Sequence, residues 1–319
     1  MPSRSALLLL GALLGSPVLA GVDFDHYVAS LREEALAAGI PSATVTAAFA
    51  DVRLVEAAIR HDKNQPEFKL TLDTYIPRAV PEWKVKQARA LYRQHLPLLT
   101  KIGREYGVQP RFIVALWGIE TNFGKITGHY PLISSLATLA WEGRREAFFK
   151  GQLFDALHIL AQGHVSPSAF QGSWAGAMGQ VQFMPSSFLA YAVDQDGDGK
   201  KDLWGNLADV FGSAANYLHK NGWREDQTWG RRVRVPDSLD TALIGLAVRK
   251  SLHDWQALGV RQQDGSRLPK ADMQASLIRP DDIHGRSYLA YDNYRVLRHW
   301  NRSPYFVVAV GTLADRIVE

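Results

Sequence analysis

The sequence predicts an α+β fold that is mainly α, and three observations carry that prediction. Apolar residues recur with helical spacing over most of the chain between Phe24 and Asn221. The β-prone runs Arg232-Val233-Arg234-Val235, Ala275-Ser276-Leu277-Ile278 and Ser287-Tyr288-Leu289-Ala290 fall in one late stretch and suggest a small sheet. Hydrophobic residues make up 46% of the 319 positions, with no internal repeat and no low-complexity segment, so the chain can bury a sizeable core.

The first residues read as an address. Arg4 precedes an apolar run from Ala6 to Leu14, and Gly15-Ser16-Pro17-Val18-Leu19-Ala20 follows. Small side chains at Val18 and Ala20 fit the cleavage rule for export, so residues 1–20 are expected to be a signal peptide. Gly11, Gly15 and Pro17 break the run and disfavour a membrane span, and no later stretch is long and apolar enough to cross a bilayer. The mature protein is expected to be exported and soluble, with no transmembrane segment. Without cysteine it has no disulfides and no N-terminal Cys for a lipid anchor, so it must stand on its core, with or without a metal. Loss of Arg4 takes the formal charge from +4 to +3, a weak pull towards an anionic polymer or surface.

From Phe24 to about Ile59, Tyr27, Leu31, Ala35 and Ala38 mark short helices, broken at Gly39-Ile40-Pro41-Ser42. Asn64 to Phe68 is expected as a loop, and Leu70 to Ile76 as a short segment that carries Tyr75 and ends at Pro77. Trp83 to Tyr106 reads as a long helical stretch interrupted around Pro97. Residues 21–106 thus form an N-terminal helical region.

Pro110 suits a first helical position and Gly124 the position past an end, which predicts a helix from about Pro110 to Phe123 with Glu120 in its last turn. Seven, four and three residues before Glu120 stand Ile113, Leu116 and Trp117, so the carboxylate lies on an apolar stripe. Desolvation and the negative end of the helix dipole both disfavour its ionised form and raise its pKa. A carboxyl group still protonated near neutral pH is what general-acid cleavage of a glycosidic bond requires. The bland alternatives are a Glu paired with a buried Arg and a Glu that reaches solvent at the helix end.

Helical runs follow from Ser134 to about Trp141 and from Arg144 to Gln162. In the stretch Gly172 to Ser187, Gly172, Gly176 and Gly179 permit tight turns and close approach to a ligand, while Ser173, Gln180 and Gln182 offer hydroxyl and amide groups for sugar recognition. A turn packed beneath the core would need the same glycines. Asp194, Asp196 and Asp198 occupy positions one, three and five of an EF-hand-like loop, with Gly199 at position six, which predicts calcium. Position twelve is Gly205 rather than Glu, so Asp202 or Asp209 must close the coordination sphere, and Lys200 can offer its backbone carbonyl. Leu207 to Asn221 is helical and carries Tyr217. The expected units after the first are a core at 107–225, a small β-rich subdomain at 226–292 and a C-terminal helical segment at 293–319. In the last, Tyr294 to Phe306 leads into a final helix to about Ile317, its aromatics divided between core and ligand platform.

Taken together, WGIETNFG, GSWAGAMGQVQFMPSS, DQDGDGKKDLW, AANYL and WNRS resemble, in order and over most of the mature chain, the lytic murein transglycosylase B family. The resemblance implies a lysozyme-like core with a calcium loop, a helical domain and a small β domain. It implies a periplasmic enzyme that cleaves peptidoglycan glycan strands between MurNAc and GlcNAc without water, leaving a 1,6-anhydro-MurNAc end. Glu120 matches the family's single acid/base, and Ser173, Gln182, Tyr217, Asn301 and Tyr75 match its cleft residues. Where the family has Tyr just before its last helix, this chain has Phe306 beside Tyr305, which leaves ring stacking on a sugar but no hydroxyl. Calcium is expected as a structural ion, with no organic cofactor and no nucleic-acid partner. A lysozyme-type hydrolase of the same polymer and a non-catalytic wall-binding protein are the competing readings. The hydrolase would need a second carboxylate, for which Glu142, Glu146 and Asp155 are available in sequence.

Overall fold

The structure, a computed structural model, describes residues 23–63, 70–281 and 285–319. The signal peptide expected at 1–20 and the loop expected from Asn64 to Phe68 lie outside the described residues. The N-terminal part is helical: α1 (Phe24–Ala37), α2 (Ser42–Ala48), α3 (Glu56–Lys63), α4 (Leu72–Ala79), α5 (Glu82–Gln94) and α6 (Leu96–Tyr106). The stretch expected to end at Pro77 instead continues as α4 to Ala79, because a proline near the end of so short a helix forfeits one hydrogen bond only. Pro97 divides α5 from α6 by sitting in the first turn of the second, where its missing N–H costs nothing.

α7 (Pro110–Thr121) is the axis of the molecule. Every residue from Phe112 to Gly118 is buried, and α5, α6, α11 (Leu207–Lys220) and α14 (Pro304–Val318) pack around it. Between α7 and α11 come the short pair β1 (Tyr130–Pro131) and β2 (Gln171–Gly172), with α8 (Leu132–Glu142), α9 (Glu146–Ala161) and α10 (Pro185–Tyr191). After α11 the chain builds an antiparallel sheet from β3 (Gly230–Arg234), β4 (Lys250–Ser251), β5 (Arg261–Gln262), β6 (Gln274–Ile278) and β7 (Ser287–Ala290), in the order β4-β6-β7-β3-β5, with α12 (Leu252–Ala257) beside it. Central pairings such as Leu277 with Leu289 and Arg232 with Tyr288 fix the register. α13 (Asp292–Trp300) and α14 then return the chain to α7.

Two apolar clusters hold these elements. The larger runs from Phe24 in α1 to Ile317 in α14, so helices from both ends of the chain share one core. The smaller gathers Val233, Trp255, Val260, Leu277 and Leu289 on the sheet.

Candidate active site

The segment that presents Glu120 ends differently from the reading by sequence. α7 stops at Thr121, and Asn122, Phe123 and Gly124 all take left-handed backbone angles, with φ of 51°, 61° and 78°. Two non-glycine residues in that region cost free energy and persist only where their surroundings fix them. Here the Phe123 N–H donates to the Trp117 carbonyl (3.2 Å) and the Gly124 N–H to Thr121 Oγ1 (3.0 Å). The Phe123 ring lies edge-on to Trp117, with centroids 5.4 Å apart. Gly118 makes the room, since a Cβ there would stand 2.6 Å from that ring. Gln180 ties the turn down: its Oε1 accepts from Trp117 Nε1 (2.7 Å), its Nε2 donates to the Trp204 carbonyl (2.8 Å), and its own carbonyl accepts from Thr121 Oγ1 (2.7 Å).

On this rigid end Glu120 is half-buried, and its Oε1 accepts a hydrogen bond from Trp300 Nε1 at 2.7 Å. Burial pushes the carboxyl up to about 7, against the pull of the indole donor, which favours the ionised form. No arginine pairs with it among the described residues. Trp300 is itself held by aromatic rings, edge-on to Tyr217 (4.7 Å) and tilted on Phe183 (5.3 Å), while Tyr217 leans on Tyr191 (4.5 Å). Burial, then the neighbouring Tyr191, pushes Tyr217 up to about 12, so its hydroxyl stays neutral. On α4, burial and then the Glu120 charge raise the Tyr75 phenol, so the two groups feel each other. Tyr75 meets Tyr305 edge-on at 5.5 Å. The Tyr305 hydroxyl donates to Asp281, which also accepts the Leu72 N–H at the start of α4 (2.8 Å).

The acidic loop is a second polar centre. Asp194, Asp196 and Asp209 each offer a carboxylate oxygen within 4.8 Å of the others. Asp209 is fully buried on α11 and accepts the N–H groups of Gln195 and Asp202, both at 2.7 Å. Burial raises it despite those amides, and the charges of Asp196 and Asp194 add to the rise. A buried acid crowded by two others is a donor set suited to a hard divalent cation.

A family model described as "Transglycosylase SLT domain" matches residues 23–315. The chain belongs to this SLT-domain family. A curated relative, "Membrane-bound lytic murein transglycosylase B" of Escherichia coli, is 33% identical over 241 residues, which is 73% of this chain and 63% of the relative, so the match spans less than two thirds of that relative's length. Among solved structures, SltB3 from Pseudomonas aeruginosa in complex with NAG-anhNAM-pentapeptide superposes with a TM-score of 0.90 at 42% identity, over 93% of this chain and 80% of that one. Escherichia coli Slt35 in complex with calcium gives 0.78 at 27% identity, over 92% of each chain. The SLT-domain fold is thus the mainly helical, lysozyme-like one with a small sheet that the motifs implied.

Within this SLT-domain chain the residues singled out by sequence fare unequally. Glu120 and Tyr217 meet at Trp300, and Tyr75 lies near enough to Glu120 to feel its charge. Asn301 is exposed one residue after Trp300, its Oδ1 accepting from the Ser303 N–H (2.9 Å). Gln182 has a left-handed φ of 51°, and its Nε2 donates to the carbonyls of Thr127 and Gly179, both at 3.0 Å, which spends its amide donor on its own turn. Ser173 Oγ likewise accepts from the Ala177 N–H (3.0 Å). Phe306 must be corrected: it is 7% exposed in the main core, because α14 turns that ring inward and leaves Tyr305 beside Tyr75. Gln180 is a brace rather than a sugar contact, for the reasons above. The glycines meet protein rather than ligand, since a Cβ at Gly172, Gly176 or Gly179 would strike Ala177, Leu136 or Leu203 within 2.6 Å. In the acidic loop Asp209, not Asp202, completes the cluster. Asp202 Oδ1 accepts the N–H groups of Trp204 (2.8 Å) and Gly205 (2.9 Å), and Asp198 stands outside the group of three, its Oδ1 capping the Lys200 N–H (2.8 Å). Trp300, the hydrogen-bond donor to Glu120, is a candidate site residue that sequence reasoning missed; its position immediately before Asn301 in the WNRS motif was the available signal.

Proposed function

We propose that this chain is a lytic transglycosylase that cleaves the β-1,4 bond between MurNAc and GlcNAc of peptidoglycan and leaves a 1,6-anhydro-MurNAc end. The observation that carries the reading is Glu120, a carboxyl with an acidity near neutrality, held by one indole donor among aromatic rings. Trp300 Nε1 on Oε1 directs the proton to the other oxygen. That proton passes to the departing glycosidic oxygen. The carboxylate left behind takes the proton of the MurNAc 6-hydroxyl as that oxygen closes on the anomeric carbon. A group titrating near neutrality can serve in both directions. The likeness to the Escherichia coli lytic murein transglycosylase and to SltB3 in complex with NAG-anhNAM-pentapeptide supports this substrate and product.

A hydrolase would need a second carboxylate across the bond. Two of the candidates offered by sequence are engaged elsewhere: Glu142 pairs with Lys63 (3.3 Å) and Glu146 accepts the Tyr27 hydroxyl (2.9 Å). Tyr75, Tyr217, Ser173, Gln182 and Asn301 are assigned to the glycan path. Asp194, Asp196 and Asp209, with the Lys200 carbonyl, are assigned to a calcium ion, which supplies stability and no chemical step; the calcium complex of Slt35 supports that ion. Export to the periplasm follows from the residue 1–20 pattern, and among the described residues no helix is long and apolar enough to cross a membrane.

Mass analysis of muropeptides released from purified sacculi tests the reaction. Anhydro-ended products are expected. Reducing MurNAc ends alone would make the protein a hydrolase, and binding without release would make it a wall-binding protein.

A further inference from the structure

α13 carries a charge pattern that the reaction does not use. Arg295, Arg298 and His299 on α13 and Arg302 just past its end, with Leu246, line a concavity of about 360 Å³ beside the sheet. Among the described residues no carboxylate lines it. Arg295 is built in, donating to the Leu246 carbonyl and to Ser276 Oγ (2.8 Å). Arg249 is paired with Asp292 (2.6 Å), so the acid beside the cluster is already engaged. Burial lowers the Arg295 pKa, and the charges of Arg249 and Arg298 lower it further against the opposing pull of Asp292. Arg298 Nε is buried with no hydrogen-bond partner among the described residues, which leaves the outer N–H groups of its guanidinium to face the concavity. Three guanidinium groups around one concavity suit an acceptor that bears negative charge.

We propose that this basic face of α13 binds the free carboxylates of a peptidoglycan stem peptide. The proposal rests on the function assigned above. The amino sugars of a stem-bearing glycan are uncharged, so the stem is the part of that substrate with carboxylates to offer. The helix connects the two sites: Trp300 turns inward to Glu120, Asn301 follows, and Arg302 opens the outward basic face. From Arg295 to the end of α13 at Trp300 the helix rises roughly 7 Å, about two residues of extended peptide, and Arg302 carries the basic row past that end. Guanidinium groups hold carboxylates through paired N–H donors, which a lysine-rich surface would not do. The stem can belong to the strand in the active site or to a neighbouring strand of the wall.

The test is the double variant Arg298→Gln/Arg302→Gln, with Arg295 left in place and the melting temperature checked. The ratio of kcat/KM on stem-bearing strands to that on amidase-stripped strands should fall roughly tenfold, the worth of one charge-assisted hydrogen bond. If the fall appears with cross-linked sacculi but not with single soluble strands, the stem comes from a neighbouring strand. An unchanged ratio on both substrates overturns the proposal. A synthetic stem pentapeptide without sugar should bind the wild-type chain, and its carboxyl-amidated form should not. Equal binding of both, or equal binding by the double variant, overturns it also. If wild type released no anhydro-ended product, the function assigned to Glu120 would fail while the pentapeptide measurement still judged the arginines.

Discussion

Glu120 and Asp194 are carboxylates of the same chain whose acidities move in opposite directions. Glu120 stands at the C-terminal end of a buried helix with a single indole donor, and desolvation prevails. At Asp194 desolvation also acts, but the N–H groups of Gly199, Gly197 and Asp198 outweigh it and hold the acid below its usual range. The difference is one of enclosure and donors together: Glu120 is strongly desolvated with one indole donor, whereas the more open Asp194 has three backbone N–H groups and the Asp196 side chain. One donor leaves a proton that can be given away, whereas three fix a negative charge that can hold a cation. Asp209 lies between the two: two amides do not offset its burial and its acidic neighbours, so its acidity is weakened, and a bound cation would favour its charged form.

The strongest way to break this contrast is to remove the proton from one side of it. Glu120→Gln keeps size and burial, and turnover of sacculi should drop by about 10² to 10⁴ while strands still bind. Near-normal turnover would move the acid elsewhere.

The same variant sharpens the contrast in stability. Glu120 has a folded pKa raised from 4.5 to about 7. Below pH 4.5 both states are protonated and the residue costs nothing. Between these values the unfolded chain gives up its proton while the native state keeps it, so native stability falls. Above pH 7 the penalty is constant. Replacement by Gln should therefore stabilise the protein by at most about 3 kcal/mol at pH 8 and by nothing at pH 4, as urea titrations at the two pH values would read. Equal effects at both values would mean that Glu120 is not desolvated.

On the other side of the comparison, calcium should raise the melting temperature of chelator-treated protein, by the equivalent of about 2.7 kcal/mol at a hundredfold excess over the dissociation constant. Identical melting curves with chelator and with calcium would leave the acidic loop without its ion. The smallest effect is expected at the indole. Trp300→Phe removes the donor that favours the carboxylate, so the alkaline limb of the pH–rate profile should move up by about one unit. A downward shift would show that Trp300 acts on Glu120 by something other than its N–H.

Much of this was legible in sequence, because local signals and tertiary structure agree along α7. Pro110, the apolar stripe from Ile113 to Trp117 and the lone Glu120 gave the helix, its burial and the acid. The left-handed turn was not legible, since Asn122 and Phe123 have no intrinsic reason to leave the helix: the space over Gly118 and the brace of Gln180 decide it, and both come from packing. The glycines of 172–179 misled in the same way, because a missing Cβ looks alike whether a ligand or Leu203 fills the space. Phe306 failed on helix phase, where one residue of rotation exchanges a surface ring for a core ring. Asp209 could be weighed against Asp202 only once α11 was folded back over the loop.

The hydrogen bond from Trp300 to Glu120 spans 180 residues of chain. The acid consequently acquires its unusual chemistry late. Until α13 and α14 have docked, Glu120 lacks both its donor and much of its burial, and it is an ordinary carboxylate that gives up its proton well below neutral pH. A half-made chain thus carries Glu120 without its raised acidity, which arrives with the final thirty or so residues. On the function proposed above, this order of assembly would be a form of containment that needs no inhibitor.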